Sequence, residues 1–246
     1  MGLASTDKKD GQVAESPLAT VAASSADEVL SALKNPIEED KGARERNVPK
    51  GGKALICVDV QYDFLPGGAL AVEDGDQVIG PLATVCETLD LAIASADCHP
   101  KKTAHFDKWP EHCVEGTRGA KIHPEIAKAV DWVVSKGTST LDDGYSAFEG
   151  KTQEGESLDE LLRRYKVTRL VVGGLATDYC VRATVGDALV RGYKVQLLLD
   201  AVRAVNLQPG DGDQAIKELV SAGAETIETN ELIAQEIEEA FNDLGW

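Results

Sequence analysis

Six short apolar runs recur from Lys53 onward, with helix-patterned stretches between them, and they constrain the fold of this chain more than any other feature. The runs are Ala54–Val60, Leu91–Ala96, Trp132–Lys136, Arg169–Gly174, Lys194–Leu199 and Glu225–Glu228. A strand that is apolar along both faces has to be covered on both, which helical crossovers between parallel strands achieve and hairpins do not. Residues 76–88, 156–165, 178–191, 213–222 and 230–242 carry apolar positions at helical spacing and supply that cover. The expected fold class is α/β: a three-layer αβα sandwich around a mostly parallel six-stranded sheet. Ligands of such sheets bind beyond the carboxyl ends of the strands.

The first fifty residues do not share the pattern. Residues 1–24 are rich in Ser, Ala, Lys, Asp and Gly and have little to bury, so disorder is expected there. A short helix is expected over Ser25–Lys34, with apolar residues at 29, 30 and 33, followed by a charged linker to Gly52. The chain is therefore read as an extension, residues 1–50, and one folded domain, residues 51–246.

The 25 Lys and Arg against 42 Asp and Glu leave a net charge of −17, which argues against nucleic acid and anionic membrane as partners, since phosphate binding needs clustered cations. Five cysteines (57, 86, 98, 113 and 180) show no paired spacing, so free thiols in a reducing compartment are expected. There is no apolar run of membrane-spanning length and no basic-then-apolar leader, which makes the cytoplasm the expected location. A homo-oligomer is left open.

Chemistry-bearing side chains collect at the strand ends. Asp59 closes the first run, Asp97 follows the second, Lys136 ends the third and Cys180 follows the fourth. Parallel strands bring these ends together. Cys180 sits where loop gives way to helix, with Thr177 or Asp178 able to cap; the unpaired N–H groups there would stabilise a thiolate or hold an oxyanion. Burial at a strand end should raise the pKa of Asp59 and suit it to accept a thiol proton. Lys136 is most simply a solvated lysine, or, if it faces the same crevice, a counter-charge. Asp63 can brace its loop or the surroundings of a metal, without reacting. Cys57 and Cys86 fit the apolar core, and His123 a structural or exposed place. Three of the four histidines, His99, His105 and His112, fall in one short window with Asp97, a donor set that suits a divalent metal with open coordination positions.

Several blocks then line up in order: Val58-Asp59-Val60-Gln61-Tyr62-Asp63-Phe64, Pro66-Gly67-Gly68-Ala69-Leu70, Asp97-x-His99-Pro100, Trp109-Pro110-x-His112-Cys113-Val114, Lys136-Gly137, Tyr145-Ser146-Ala147-Phe148 and Gly174-Leu175-Ala176-Thr177-Asp178-Tyr179-Cys180-Val181. With these the chain resembles the nicotinamidases (pyrazinamidases) of the isochorismatase-like hydrolase superfamily, from about Ala54 to Val205. The resemblance implies a catalytic triad of Asp59, Lys136 and Cys180. It implies an oxyanion hole from the backbone N–H groups of Ala176 and Cys180, beside a cis Leu175–Ala176 peptide. The implied metal ligands are Asp97, His99, His105 and His112, around zinc first and iron or manganese otherwise. Phe64, Trp109 and Tyr145 would wall a flat ring. Two positions depart from the family's habit: Cys98, where an aromatic residue is usual, and Tyr62, where Asn is common.

The implied activity is hydrolysis of nicotinamide, and of pyrazinamide, to the acid and ammonia through a cysteine thioester. Two rivals are a relative acting on another small amide, such as an N-carbamoyl compound, and a catalytically silent metal-binding or interaction protein. The intact histidine set weighs against the first. The complete triad weighs against the second.

Overall fold

Every apolar run becomes a strand, and all pairings between the strands are parallel. The computed structural model describes residues 52–243. The extension and its expected helix at Ser25–Lys34 lie outside the described residues. The strands are β1 (Lys53–Val58), β2 (Ala92–Asp97), β3 (Trp132–Lys136), β4 (Arg169–Leu175), β5 (Lys194–Arg203) and β6 (Glu225–Ile227), in the order β3-β2-β1-β4-β5-β6. The chain winds outward from β1 in one direction and from β4 in the other. The sheet therefore has its topological switch point between β1 and β4, where the loops diverge and leave a crevice.

The helices are α1 (Ile79–Thr88), α2 (Pro124–Ala129), α3 (Leu158–Arg164), α4 (Arg182–Val190), α5 (Asp211–Ser221) and α6 (Thr229–Asp243). Alternation along β1 shows how the two cores divide. Leu55 and Cys57 pack with Leu82, Val85, Ile126 and Leu232, from α1, α2 and α6. Ala54, Ile56 and Val58 pack with Leu158, Leu161, Val185 and Leu219, from α3, α4 and α5. Each fully buried Leu or Ile in these layers contributes about 2 kcal/mol by leaving water. Cys57 and Cys86 meet inside the first core, with their sulfurs 3.8 Å apart as free thiols. No helix among the described residues is long and apolar enough to cross a membrane.

Some boundaries differ from the sequence reading, each for a local reason. β1 stops at Val58, not Val60, because Asp59 adopts a left-handed φ of 50° and turns the chain out of the sheet. β5 runs on past Leu199 through the half-buried Asp200, whose carboxylate accepts hydrogen bonds from the Thr229 backbone N–H and hydroxyl. α2 has no counterpart in the expected helices, since six residues are too few for a periodic stripe; Pro124 at its first turn and His123 as its N-cap fix it. His123 is thus half-buried and structural.

Candidate active site

Strand register assembles the centre of the site. Asp97 and Lys136 are direct partners in the β2–β3 ladder, and Val58, the residue before Asp59, pairs with Ser95 on one side and Gly174 on the other. A side chain at Gly174, whose φ is 122°, would collide with the Val58 backbone, so only glycine lets β4 approach this closely.

The ammonium of Lys136 is buried. It lies 2.8 Å from Asp59 Oδ2 and 2.5 Å from Asp97 Oδ1, donates to the Gly144 carbonyl at 2.6 Å, and stands 3.6 Å from Cys180 Sγ. The solvated-lysine reading is therefore wrong. Burial works against this charge, but Asp59 and Asp97 outweigh it and hold the lysine pKa well above its ordinary value. Asp59 is pushed up to about 6, by burial first and by the nearby Asp97, against the opposing pull of Lys136. Its Oδ1 accepts from Ser95 Oγ at 2.6 Å; Oδ2 lies against the lysine charge at 2.8 Å and, like any ionised carboxylate oxygen, has a second lone pair for an incoming proton. For Asp97 burial is again the largest influence, yet Lys136 and His99 together overturn it and bring the carboxyl down to about 2.

Cys180 lies in a wide turn, Thr177–Val181, that leads into α4. Neither Thr177 nor Asp178 caps this turn, contrary to the sequence reading. Asp178 instead accepts the backbone N–H groups of Val205 and Asn206, at 2.9 and 2.8 Å, and fastens the loop after β5 beside the crevice. Burial pushes the Cys180 thiol well above its ordinary pKa, and Lys136 only partly offsets this. The resting group is a thiol, so a base has to take its proton during attack.

The second constellation is the histidine cluster. One ring nitrogen from each of His99, His105 and His112 lies within 4.8 Å of the others. In each ring Nδ1 faces a group that can only accept: the Gly137 carbonyl at 3.1 Å from His99, the Asp143 carboxylate at 3.0 Å from His105 and the Pro110 carbonyl at 2.6 Å from His112. Nδ1 must therefore carry the proton, leaving the Nε2 lone pair available in all three, the tautomer that metal-ligating histidines adopt. His99 Nε2 is buried without a hydrogen-bond partner and sits 3.7 Å from Asp97 Oδ2. An orphaned imidazole nitrogen beside a carboxylate oxygen is the signature of a ligand set, so the residues fit a divalent ion. Oxygens of Asp59 and Asp97 and the Cys180 sulfur also gather within 4.8 Å, but the Lys136 ammonium already occupies that group with positive charge and would repel an ion. Gly137 has a φ of 64°, and a Cβ there would strike the His99 ring, so glycine is what lets its carbonyl meet Nδ1.

Both constellations open into one cavity that is continuous with solvent, lined by Cys180, Asp97, Asp143, His105 and His112 and by the rings of Phe64, Trp109 and Tyr145. Trp109 Nε1 donates to the Tyr145 hydroxyl at 3.0 Å, which fixes two of these rings against each other. The Leu175–Ala176 peptide beside the turn is cis, as the resemblance implies.

The structure adds residues that the sequence reading left out. Tyr179 meets Trp109 edge-on, with ring centroids 4.8 Å apart, and lines the same cavity; its place beside Cys180 was the available signal. Gln61 is buried and satisfied on every side: it accepts from the Asp97 N–H and donates to the carbonyls of Asp97 and Ala120, all at 2.8 Å. Asp63, by contrast, braces its loop as the sequence suggests, accepting from the Cys113 N–H at 2.7 Å.

The isochorismatase domain matches residues 53–231. The nicotinamidase of Escherichia coli strain K12 is 41% identical over 198 residues, covering 70% of this chain and 92% of that protein. The pyrazinamidase of Pyrococcus horikoshii, solved in complex with zinc, superposes with a TM-score of 0.65 at 38% identity, over 72% of this chain and 99% of that one. The L. infantum protein PnC1, solved in complex with nicotinate, gives a TM-score of 0.67 at 33% identity, over 74% and 96%. With fold, domain match and near-complete coverage of these relatives in agreement, the chain belongs to the isochorismatase domain family.

Proposed function

We propose that this protein is a nicotinamidase, an amidohydrolase that converts nicotinamide to nicotinate and ammonia and also accepts pyrazinamide. One observation carries the reading: a cysteine, with Asp59 buried within 4.8 Å of it, and two histidines with free Nε2 lone pairs face the same ring-lined cavity. A flat heteroaromatic amide can then present its carbonyl carbon to the thiol and its ring nitrogen to the histidine cluster. The similarity to a nicotinamidase, and to a protein solved with nicotinate, supports that choice of substrate.

Asp59 accepts the thiol proton as Cys180 Sγ attacks the carboxamide carbon. Lys136 offsets the negative charge gathered there, and the backbone N–H groups of Ala176 and Cys180 hold the oxyanion. The C–N bond breaks as ammonia leaves with the proton from Asp59, giving a thioester. Water, deprotonated by Asp59, then attacks it, the C–S bond breaks, and nicotinate and the thiol are released. Phe64, Trp109 and Tyr145, with Tyr179, hold the ring. A divalent ion held by Asp97, His99, His105 and His112 would supply a Lewis-acid position that orients the ring nitrogen. Zinc is the favoured ion, from the three-imidazole, one-carboxylate set and the zinc complex of the similar P. horikoshii protein. The catalytic unit is residues 51–246, and five free thiols fit work in the cytoplasm.

Ammonia release from nicotinamide by the purified protein, set against a panel of N-carbamoyl compounds and other small amides, tests the assignment. Preference for nicotinamide is expected; a better N-carbamoyl substrate would defeat it. The pH dependence is a further prediction. Because Asp59 must be ionised to accept the proton and its pKa is about 6, kcat/KM should fall roughly tenfold per pH unit below that value and level off above it. A profile flat down to pH near 4, the ordinary carboxylate range, would mean that burial does not raise the Asp59 pKa.

A further inference from the structure

The three histidines are not oriented in the same way. His99 and His112 give their Nδ1 protons to backbone carbonyls, whereas His105 gives its proton to a side chain, Asp143. Asp143 Oδ1 lies 3.0 Å from His105 Nδ1, and Oδ2 takes Lys108 Nζ at 2.7 Å. His105 and Lys108 are three residues apart on and just after the short turn Ala104–Asp107, so one carboxylate grips both ends of that turn. The loop after β3 reaches the same region along its whole length. Its Gly137 carbonyl accepts from His99, its Thr140 carbonyl from the Ala104 N–H at 3.1 Å, and its Gly144 carbonyl from Lys136. Asp143 is the ionic contact in this set. A carboxylate on Nδ1 fixes the imidazole tautomer and plane and makes Nε2 a stronger donor to a cation, which a neutral carbonyl does less well.

We infer that Asp143, which also lines the cavity, is a positioning residue that sets how tightly the site retains its metal, acting through His105 and not as a ligand itself. The inference rests on the metal reading given above, but it adds a residue outside the matched blocks and assigns it a separate measurable effect. Loss of the carboxylate frees the His105 ring to rotate and weakens its donation, the kind of change that costs about 10- to 100-fold in metal affinity. Half-exposed as it is, Asp143 has little part in the core, so the fold should survive its replacement.

The test is zinc affinity, measured on metal-free protein by competition with a chromogenic chelator, together with the visible absorption of the cobalt-loaded form. Asp143→Ala is expected to bind zinc about 10- to 100-fold more weakly and to shift the cobalt bands, with unfolding of the metal-free protein unchanged. Asp143→Asn keeps the shape and a neutral acceptor, so it should fold in any case and fall between parent and alanine variant. Parent-like zinc affinity and cobalt spectrum in both variants, or in the asparagine variant if the alanine variant does not fold, would overturn the inference. Failure of the parent itself to bind zinc or cobalt would instead overturn the metal reading.

Discussion

Cys180→Ala should lower kcat on nicotinamide by about 10⁴- to 10⁶-fold, the loss expected when the nucleophile of a covalent mechanism is removed. The structure makes this a clean experiment. Cys180 Sγ lies 3.6 Å from the Lys136 ammonium and adds only a small side chain to the second core, from the turn before α4, so the variant should fold and keep its histidine cluster. Removing one sulfur from a small cavity wall costs about 1–2 kcal/mol at most. Lys136→Ala would be a poorer probe, because it leaves two buried carboxylates facing each other, and breaking a buried ion pair costs about 3–5 kcal/mol. Cys57→Ala is the control: that thiol is buried against Cys86 in the first core, so its loss should affect stability and spare turnover. Appreciable ammonia release by Cys180→Ala would move the chemistry away from the thiol.

The second large effect is loss of the metal. Chelation should reduce activity by about 100-fold or more, the scale on which a misplaced substrate loses rate, and adding a divalent ion back should restore it. His99→Ala should reproduce the loss without rescue by added metal at ordinary concentrations. His99 is the sensitive choice because its Nε2 is buried, unpartnered and next to Asp97, while Nδ1 is already committed to Gly137. Full activity in protein shown to be metal-free would defeat the ligand assignment.

These residues also show how far the fold and the site are legible in the sequence. The sheet was legible because strands covered on both faces leave near-continuous apolar runs, and the strand ends located Asp59, Asp97, Lys136 and Cys180 together. The state of Lys136 was not legible, because solvation or burial of a lysine depends on the β2–β3 register that sets it against Asp97. Capping of the turn before α4 was misjudged for a similar reason: Asp178 has the right residue type, but its carboxylate is claimed by a loop nearly thirty residues further along the chain. Asp143 left no pattern at all. It lies in an irregular loop, and its partners, thirty-eight and thirty-five residues earlier in the chain, become neighbours only on folding.

The most direct measurement of the central claim, that one cavity aims a pyridine carboxamide at Cys180, is a comparison of two aldehydes as inhibitors. Nicotinaldehyde has the ring nitrogen and a more electrophilic carbon but no leaving group, so attack by Cys180 should stop at a thiohemiacetal whose oxygen lies where the oxyanion would form. Benzaldehyde lacks only the nitrogen. Nicotinaldehyde is expected to inhibit at least about 100-fold more tightly than benzaldehyde, since a site built around a polar contact rejects the analogue without it. Cys180→Ala should lose the tight inhibition. Equal inhibition by the two aldehydes, or tight nicotinaldehyde inhibition in Cys180→Ala, would contradict that claim.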